Sequence, residues 1–240
     1  MDKTLLERDN STIQVRCPET GKWLNTEVFR KEAIHFTKYG FYCPDPPGST
    51  SFLEYWTEQL RRCIEGYEVN GVKITGHHYM YLNFTQIQLL DHEKISDEQE
   101  DAEEVIIGAK VTTMPDFWDG DYDYYWAIEI AKNGLFTKDA IATSKEEKIE
   151  YAKLKTKEQR DEAKQAVLKR LNLRVIPHPN YLDGGNHIIV GKSRRKGYSY
   201  KNAAICANIY NTQRKSMTVI GAFDKKYLYP SGTMGMASIS

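Results

Sequence analysis

The run Gly191-Lys192-Ser193-Arg194-Arg195-Lys196-Gly197-Tyr198-Ser199-Tyr200-Lys201 decides the reading of this chain, because it sets a Gly/Lys/Arg-rich turn between an apolar stretch and a helix. Ahead of it, Asn186 to Gly191 is a β-rich run containing Ile188-Ile189-Val190. Behind it, Tyr200 to Thr212 reads as a helix and Met217 to Phe223 as a second β-rich run. One βαβ unit is therefore expected over residues 177–240. A strand that feeds such a turn aims backbone N–H groups and the positive end of the helix dipole at one point, and phosphate binds there. Ala203, Ala204 and Ala207 keep the helix slim enough to lie close on a parallel sheet.

The standard phosphate loop, G-x-x-x-x-G-K-[ST], needs a glycine to close around the phosphates, a lysine to neutralise them and a hydroxyl to ligate Mg²⁺. Here Gly197 and Ser199 are in place, but Tyr198 stands where the lysine belongs. Lys192, Arg194, Arg195 and Lys196 supply positive charge within the loop instead. A cation displaced along the loop does the same electrostatic work if its side chain reaches the phosphates. A basic turn of this kind also fits a second reading, a non-catalytic nucleic-acid-binding module that grips backbone phosphates through residues 192–201.

The string Lys192-Ser193-Arg194-Arg195-Lys196-Gly197-Tyr198-Ser199 resembles the deviant Walker A motif, K-S-x-R-x-G-Y-S, of the large terminase subunits of tailed phages, including the lambda type. The lead-in GYEVNGVKITGHHYMYLNF (residues 66–84) and the Pro115-Asp116-Phe117-Trp118 segment with Tyr124-Tyr125-Trp126 are similar to the same region of some of these proteins, especially those of crAss-like phages. The resemblance runs from about residue 28 to about residue 230 and is sharpest at the loop.

It implies an α/β fold, the start of a P-loop (RecA/ASCE-like) NTPase sheet preceded by a helical and β-hairpin lead-in. It also implies ATP hydrolysis coupled to packaging of double-stranded viral DNA, with ATP and Mg²⁺ as the small molecules. Lys192 would be the displaced phosphate-binding lysine, Arg195 the motif's candidate cis-acting arginine finger, Gly197 the closing glycine and Ser199 the Mg²⁺ ligand. Gly191, Ser193, Arg194, Lys196 and Tyr198 would complete the nucleotide-binding loop. The portal protein, the small terminase subunit and further copies in a ring would be the partners, in the cytoplasm of an infected bacterium.

The sequence departs from that family at its far end. A Walker B strand ending in acids is expected after the first βαβ unit, and a nuclease domain after that. Asp224 follows the run Met217 to Phe223 but leads into Lys225-Lys226-Tyr227 rather than a second acid, which makes it a weak Walker B candidate. The chain therefore reads as an N-terminal fragment of the motor.

Working back from the loop, residues 144–176 form a charged segment with few apolar residues, expected to be an exposed helix or helical hairpin, with DNA or a neighbouring subunit as its contact in a motor. Residues 26–143 form the lead-in, and residues 1–25 a loose arm. Within the lead-in, Glu27 to Tyr39 reads as a helix ended by Gly40. Ser51 and Glu54 read as a capping box for the helix FLEYWTEQLRRCIEGY (residues 52–67), and Asn70-Gly71 as a hairpin turn. His77 to Gln88 is aromatic and reads as β-prone, residues 92–104 as an acidic loop, Glu104 to Val111 as a strand, and Tyr124 to Lys132 as a helix ended by Asn133-Gly134.

Several residues invite a functional reading beside a bland one. Asp119, Asp121 and Asp123 open like a calcium loop, but Tyr124 stands where glycine is required and Ile130 where the bidentate glutamate belongs, so calcium is excluded. The aromatics of Phe117 to Trp126 either stack on a ligand or close a core edge, with the core favoured. His77-His78 lacks ligand-spaced partners and reads as structural. Gln86 is a candidate reader of the adenine edge.

Lys plus Arg and Asp plus Glu each number 33, so no net field draws the chain to nucleic acid or acidic lipid. Any such contact must come from a local patch. Cys17, Cys43, Cys63 and Cys206 lie too far apart to form a zinc pair and read as free thiols. No stretch is long and apolar enough to cross a membrane.

Overall fold

Residues 25–90, 110–173, 182–191 and 197–221 are described in the computed structural model of the protein. Asn25 accepts a hydrogen bond from the Glu27 amide and opens a short 3-10 turn, Thr26–Phe29, before α1, Lys31–Tyr39. The single helix expected from Glu27 breaks at Arg30 because Phe29 enters the core and its carbonyl accepts from Asn83 Nδ2 at 2.9 Å, outside any helical ladder. Gly40, left-handed with φ 79°, ends α1 as expected.

The next helix, α2, spans Thr50–Glu65 and starts two residues earlier than the expected capping box. Ser49, set up by the turn through Gly48, accepts from Phe52 N at 3.2 Å and takes the capping role from Ser51. Its buried face is centred on Gln59 and Cys63, while Leu60 and Ile64 of the expected apolar stripe face solvent. Asn70 and Gly71, with φ of 52° and 72°, turn β1 (Tyr67–Val69) into β2 (Val72–Ile74) as the hairpin signal required.

The expected β-prone run from His77 is instead a helix, α3, Gly76–Phe84, capped by Thr75, whose hydroxyl accepts from His78 N at 3.2 Å. Its aromatics carry no helical period because it is buried on almost every side, packed on α1, on α2, on α4 (Asp119–Asn133) and on α7 (Tyr198–Thr212). Gly76 allows this closeness: an added Cβ would stand 2.1 Å from the Cys63 carbonyl oxygen of α2. After α3, β3 (Ile87–Leu90) pairs antiparallel with β4 (Lys110–Thr113). The strand expected from Glu104 is thus seen at its end, and the acidic loop 92–104 lies outside the described residues.

Helix α4 begins five residues before the expected Tyr124, since Asp119 and Asp121 suit the positive end of a helix. The charged segment forms two helices, α5 (Lys145–Lys153) and α6 (Lys157–Leu171), each opened by a complete capping box, Ser144 with Glu147 and Thr156 with Gln159. Val167, Leu168 and Leu171 anchor the hairpin to the core.

The last described helix, α7, spans Tyr198–Thr212. The chain is mixed α/β, mostly helical, with two small two-stranded antiparallel sheets among the described residues. The parallel βαβ unit expected around α7 is not formed there. Residues 186–191 and 217–221 run without a ladder partner among the described residues, and Ile189, Met217 and Val219 are 99%, 86% and 82% exposed. Apolar segments of this kind become strands only when a neighbouring strand takes their N–H and C=O groups. Among the described residues no helix is long and apolar enough to cross a membrane.

Two buried histidines tie α3 to its neighbours. His77 Nδ1 accepts from Asn208 Nδ2 of α7 at 2.9 Å, and that same amide nitrogen donates to the Cys63 carbonyl at 2.8 Å. The His78 ring stacks on Tyr125 of α4 at 5.0 Å and 20°. Both rings are neutral in the fold, since burial holds the pKa of His77 at about 4 and of His78 at about 3, below the ordinary 6.5. The unfolded chain protonates both below about pH 6.5, so stability is full above that pH and falls as pH drops toward 4. Urea melts between about pH 7 and about pH 4 should show this fall, and His78→Phe should flatten it; an unchanged slope would contradict the burial account. Gly76→Ala should cost about 1–3 kcal/mol in the same melts by driving α3 from α2.

Candidate functional site

Three residues of the first turn of α7 face α4, at the spacing that puts positions i, i+3 and i+4 on one side of a helix. The Tyr198 ring stands edge-on to Tyr124 at 4.9 Å, Lys201 Nζ pairs with Asp121 Oδ1, and Asn202 Oδ1 accepts from the Tyr124 hydroxyl. The Lys201 and Asp121 side chains are 7% and 4% exposed. Burial pushes the Asp121 carboxyl above the ordinary carboxylate range, and the Lys201 ammonium beside it pulls it back. Lys201 Nζ also sits 4.4 Å from the centre of the Tyr198 ring.

Asp119, Asp121 and Asp123 are thus buried parts of a helix. Phe117, Tyr122, Tyr125 and Trp126 belong to the core, the reading favoured from the sequence.

The same helix holds the approach to the loop. Leu135 N donates to Leu182 O, Gly185 N to Lys132 O and Asn186 N to Ala131 O, each at 2.9 Å, so residues 182–186 satisfy carbonyls at the end of α4. Gly134 and Gly184 make this possible, because a Cβ on either would come within 2.7 Å of the other segment's backbone. The contacts at Asp121 and at Ala131 are about 15 Å apart along α4 at 1.5 Å per residue. Residues 192–196 are therefore bracketed by segments fixed to two ends of one buried helix.

At the exit, Gly197 occupies the left-handed region with φ 68°, no side chain among the described residues caps α7, and Lys201 N donates to Gly197 O at 3.2 Å. The amides of Ser199 and Tyr200 lie ahead of that bond, where a helix presents donors and its positive end. Ser199 is partly buried. β3 passes alongside: the Gln88 amide donates to the Tyr200 hydroxyl at 3.3 Å.

Of the sequence-derived site residues, Gly197, Tyr198 and Ser199 come together at this helix start. Gly191 is exposed at the end of the approach, and Gln86 is exposed two residues before the Gln88 contact. Lys192, Ser193, Arg194, Arg195, Lys196 and the Walker B candidate Asp224 lie outside the described residues. Tyr198 is turned toward α4, against Tyr124. Among the described residues, Cys43, Cys63 and Cys206 are free thiols, and no cluster of three His, Cys, Asp or Glu side chains gathers.

Neither the pairing of Asp121 with Lys201, the last residue of the quoted loop, nor the Gly184-Gly185 approach is among the features the sequence pattern points to. The glycine pair carried a turn signal, whereas the ion pair joins positions 80 residues apart. Comparison with protein-family models, curated proteins and solved structures gives no match.

The left-handed Gly197 gives a direct check. Gly197→Ala should destabilise the chain by about 1–2 kcal/mol from backbone strain alone, since the new Cβ would meet nothing closer than the Tyr81 hydroxyl at 3.9 Å. Gly197→Asn should recover part of this in denaturant melts, because asparagine tolerates that conformation. Equal losses for both would show that space, not φ, is limiting.

Proposed function

We propose that this chain carries the nucleotide-binding turn of an ATP-driven motor, the large terminase subunit that packages double-stranded viral DNA. One observation supports it above the others. The basic run Lys192 to Lys196 leads in sequence straight into a helix start that is opened by left-handed Gly197, capped by no side chain among the described residues and fixed by its inward-facing residues. A triphosphate at that start would meet main-chain donors, the helix dipole and a run of cations together. In this reading the exposed runs at 188–190 and 217–220 are strands of the P-loop sheet, each lacking its neighbours among the described residues.

The chemistry would be in-line attack of water on the γ-phosphate. Lys192 and Arg195 would offset the charge that develops on the transferred group, and Gly197 would let the backbone close around the phosphates. Ser199 would supply one oxygen ligand to Mg²⁺, whose chemistry there would be to offset phosphate charge. The donor set fits that ion in part: the Ser199 hydroxyl is at the helix start, and no acidic cluster beside it is found among the described residues. A carboxylate for the metal and the water would come from elsewhere in the motor.

A Mg²⁺-dependent complex with a labelled, non-hydrolysable ATP analogue is the expected result for the wild type, with binding lost in Lys192→Ala/Arg195→Ala. Equal binding by both proteins would overturn the proposal. Indifference to the analogue, together with duplex-DNA binding that falls steeply with salt, would assign residues 192–201 to backbone phosphates instead.

A further inference from the structure

The buried ion pair between α4 and α7 has a cost that packing alone does not require. Removing a lysine and a carboxylate from water is expensive, and well-packed apolar side chains of similar volume are often equally or more stabilising. What an ion pair adds is direction: Lys201 Nζ must meet Asp121 Oδ1 in one geometry. Lys201 is one helical turn from Gly197, whose carbonyl accepts its amide at 3.2 Å. Its ammonium also lies 4.4 Å from the Tyr198 ring centre, so the residue immediately before Ser199 is held between Lys201 and Tyr124.

The other groups around Lys201 reinforce this arrangement. The Tyr125 hydroxyl, fully buried, points at the Lys201 carbonyl at 3.5 Å. His78 on α3 is kept neutral by burial and by the Lys201 charge, and so does not compete with Lys201 for Asp121. A shift in the pair would therefore pass directly to Tyr198 and, through the backbone, to Ser199.

We propose that Asp121 is a positioning residue for the phosphate-binding turn, acting through its buried ion pair with Lys201 on the orientation of Tyr198 and Ser199. This rests on the nucleotide-binding reading above. Asp121 touches no substrate; it fixes the helix start that does.

The test compares stability with affinity. Asp121→Asn alone leaves a buried ammonium without its counter-charge and should strongly destabilise the fold. The double variant Asp121→Asn/Lys201→Met removes both charges at nearly constant volume and should recover most of the thermal stability. Titration with a non-hydrolysable ATP analogue and Mg²⁺ should nevertheless show affinity in the double variant reduced by about tenfold or more, the scale on which residues supporting a ligand's direct contacts act.

If the double variant recovers both stability and wild-type affinity, the pair is structural only and the inference is overturned. If the wild type shows no Mg²⁺-dependent binding, the nucleotide reading fails first, and this inference with it. Should the double variant not fold, Asp121→Glu replaces it, keeping the charge while moving the carboxylate by one methylene. A weakened complex with an unchanged far-UV spectrum supports positioning, and unchanged affinity rejects it.

Discussion

One helix, Asp119–Asn133, holds the described chain together. Trp126 Nε1 donates to the Lys73 carbonyl of the hairpin at 3.2 Å, and the Tyr122 hydroxyl donates to the Leu171 carbonyl of α6 at 2.9 Å. Tyr125 stacks on His78 of α3, while Asp121 and Tyr124 grip the first turn of α7. The far end of the helix receives the approach to the basic loop through three backbone hydrogen bonds. Residues 182–186 and the first turn of α7 thus both rest on one buried helix, and the geometry at Gly197 to Ser199 depends on it.

Such a helix is an unusual object in sequence terms, and that governs what could be read in advance. The hairpin at Asn70-Gly71, the two capped helices of the charged segment and the helix after Gly197 are all set by local rules, in which a turn or cap lies within a few residues of what it controls. Helix α3 looks β-prone in sequence because burial on nearly all sides removes the polar face on which periodicity depends. The start of α4 was missed for a related reason. Asp119, Asp121 and Asp123 look solvent-facing, yet all three are buried.

At the site, the balance is similar. The turn at Gly197 and the helix that follows it are legible from local pattern. Tyr198 packs edge-on against Tyr124 of α4, a contact between distant parts of the chain that no local pattern reveals. The role of Asp121 was not legible, because its partner lies in another helix far along the chain. The expected parallel strands around α7 rest on short apolar runs and the turn between them, and such local signals cannot supply the neighbouring strand that a ladder needs.

The central claim, that α4 fixes both flanks of the basic loop so that the start of α7 is held ready for a phosphate group, is tested most directly by hydrogen exchange with and without a Mg²⁺-bound ATP analogue. The amides of residues 197–201 should gain protection on binding, with α4 already slow to exchange in the free protein and little changed. Protection confined to the α5–α6 hairpin, or an α4 that exchanges as fast as the loops in the free protein, would contradict it.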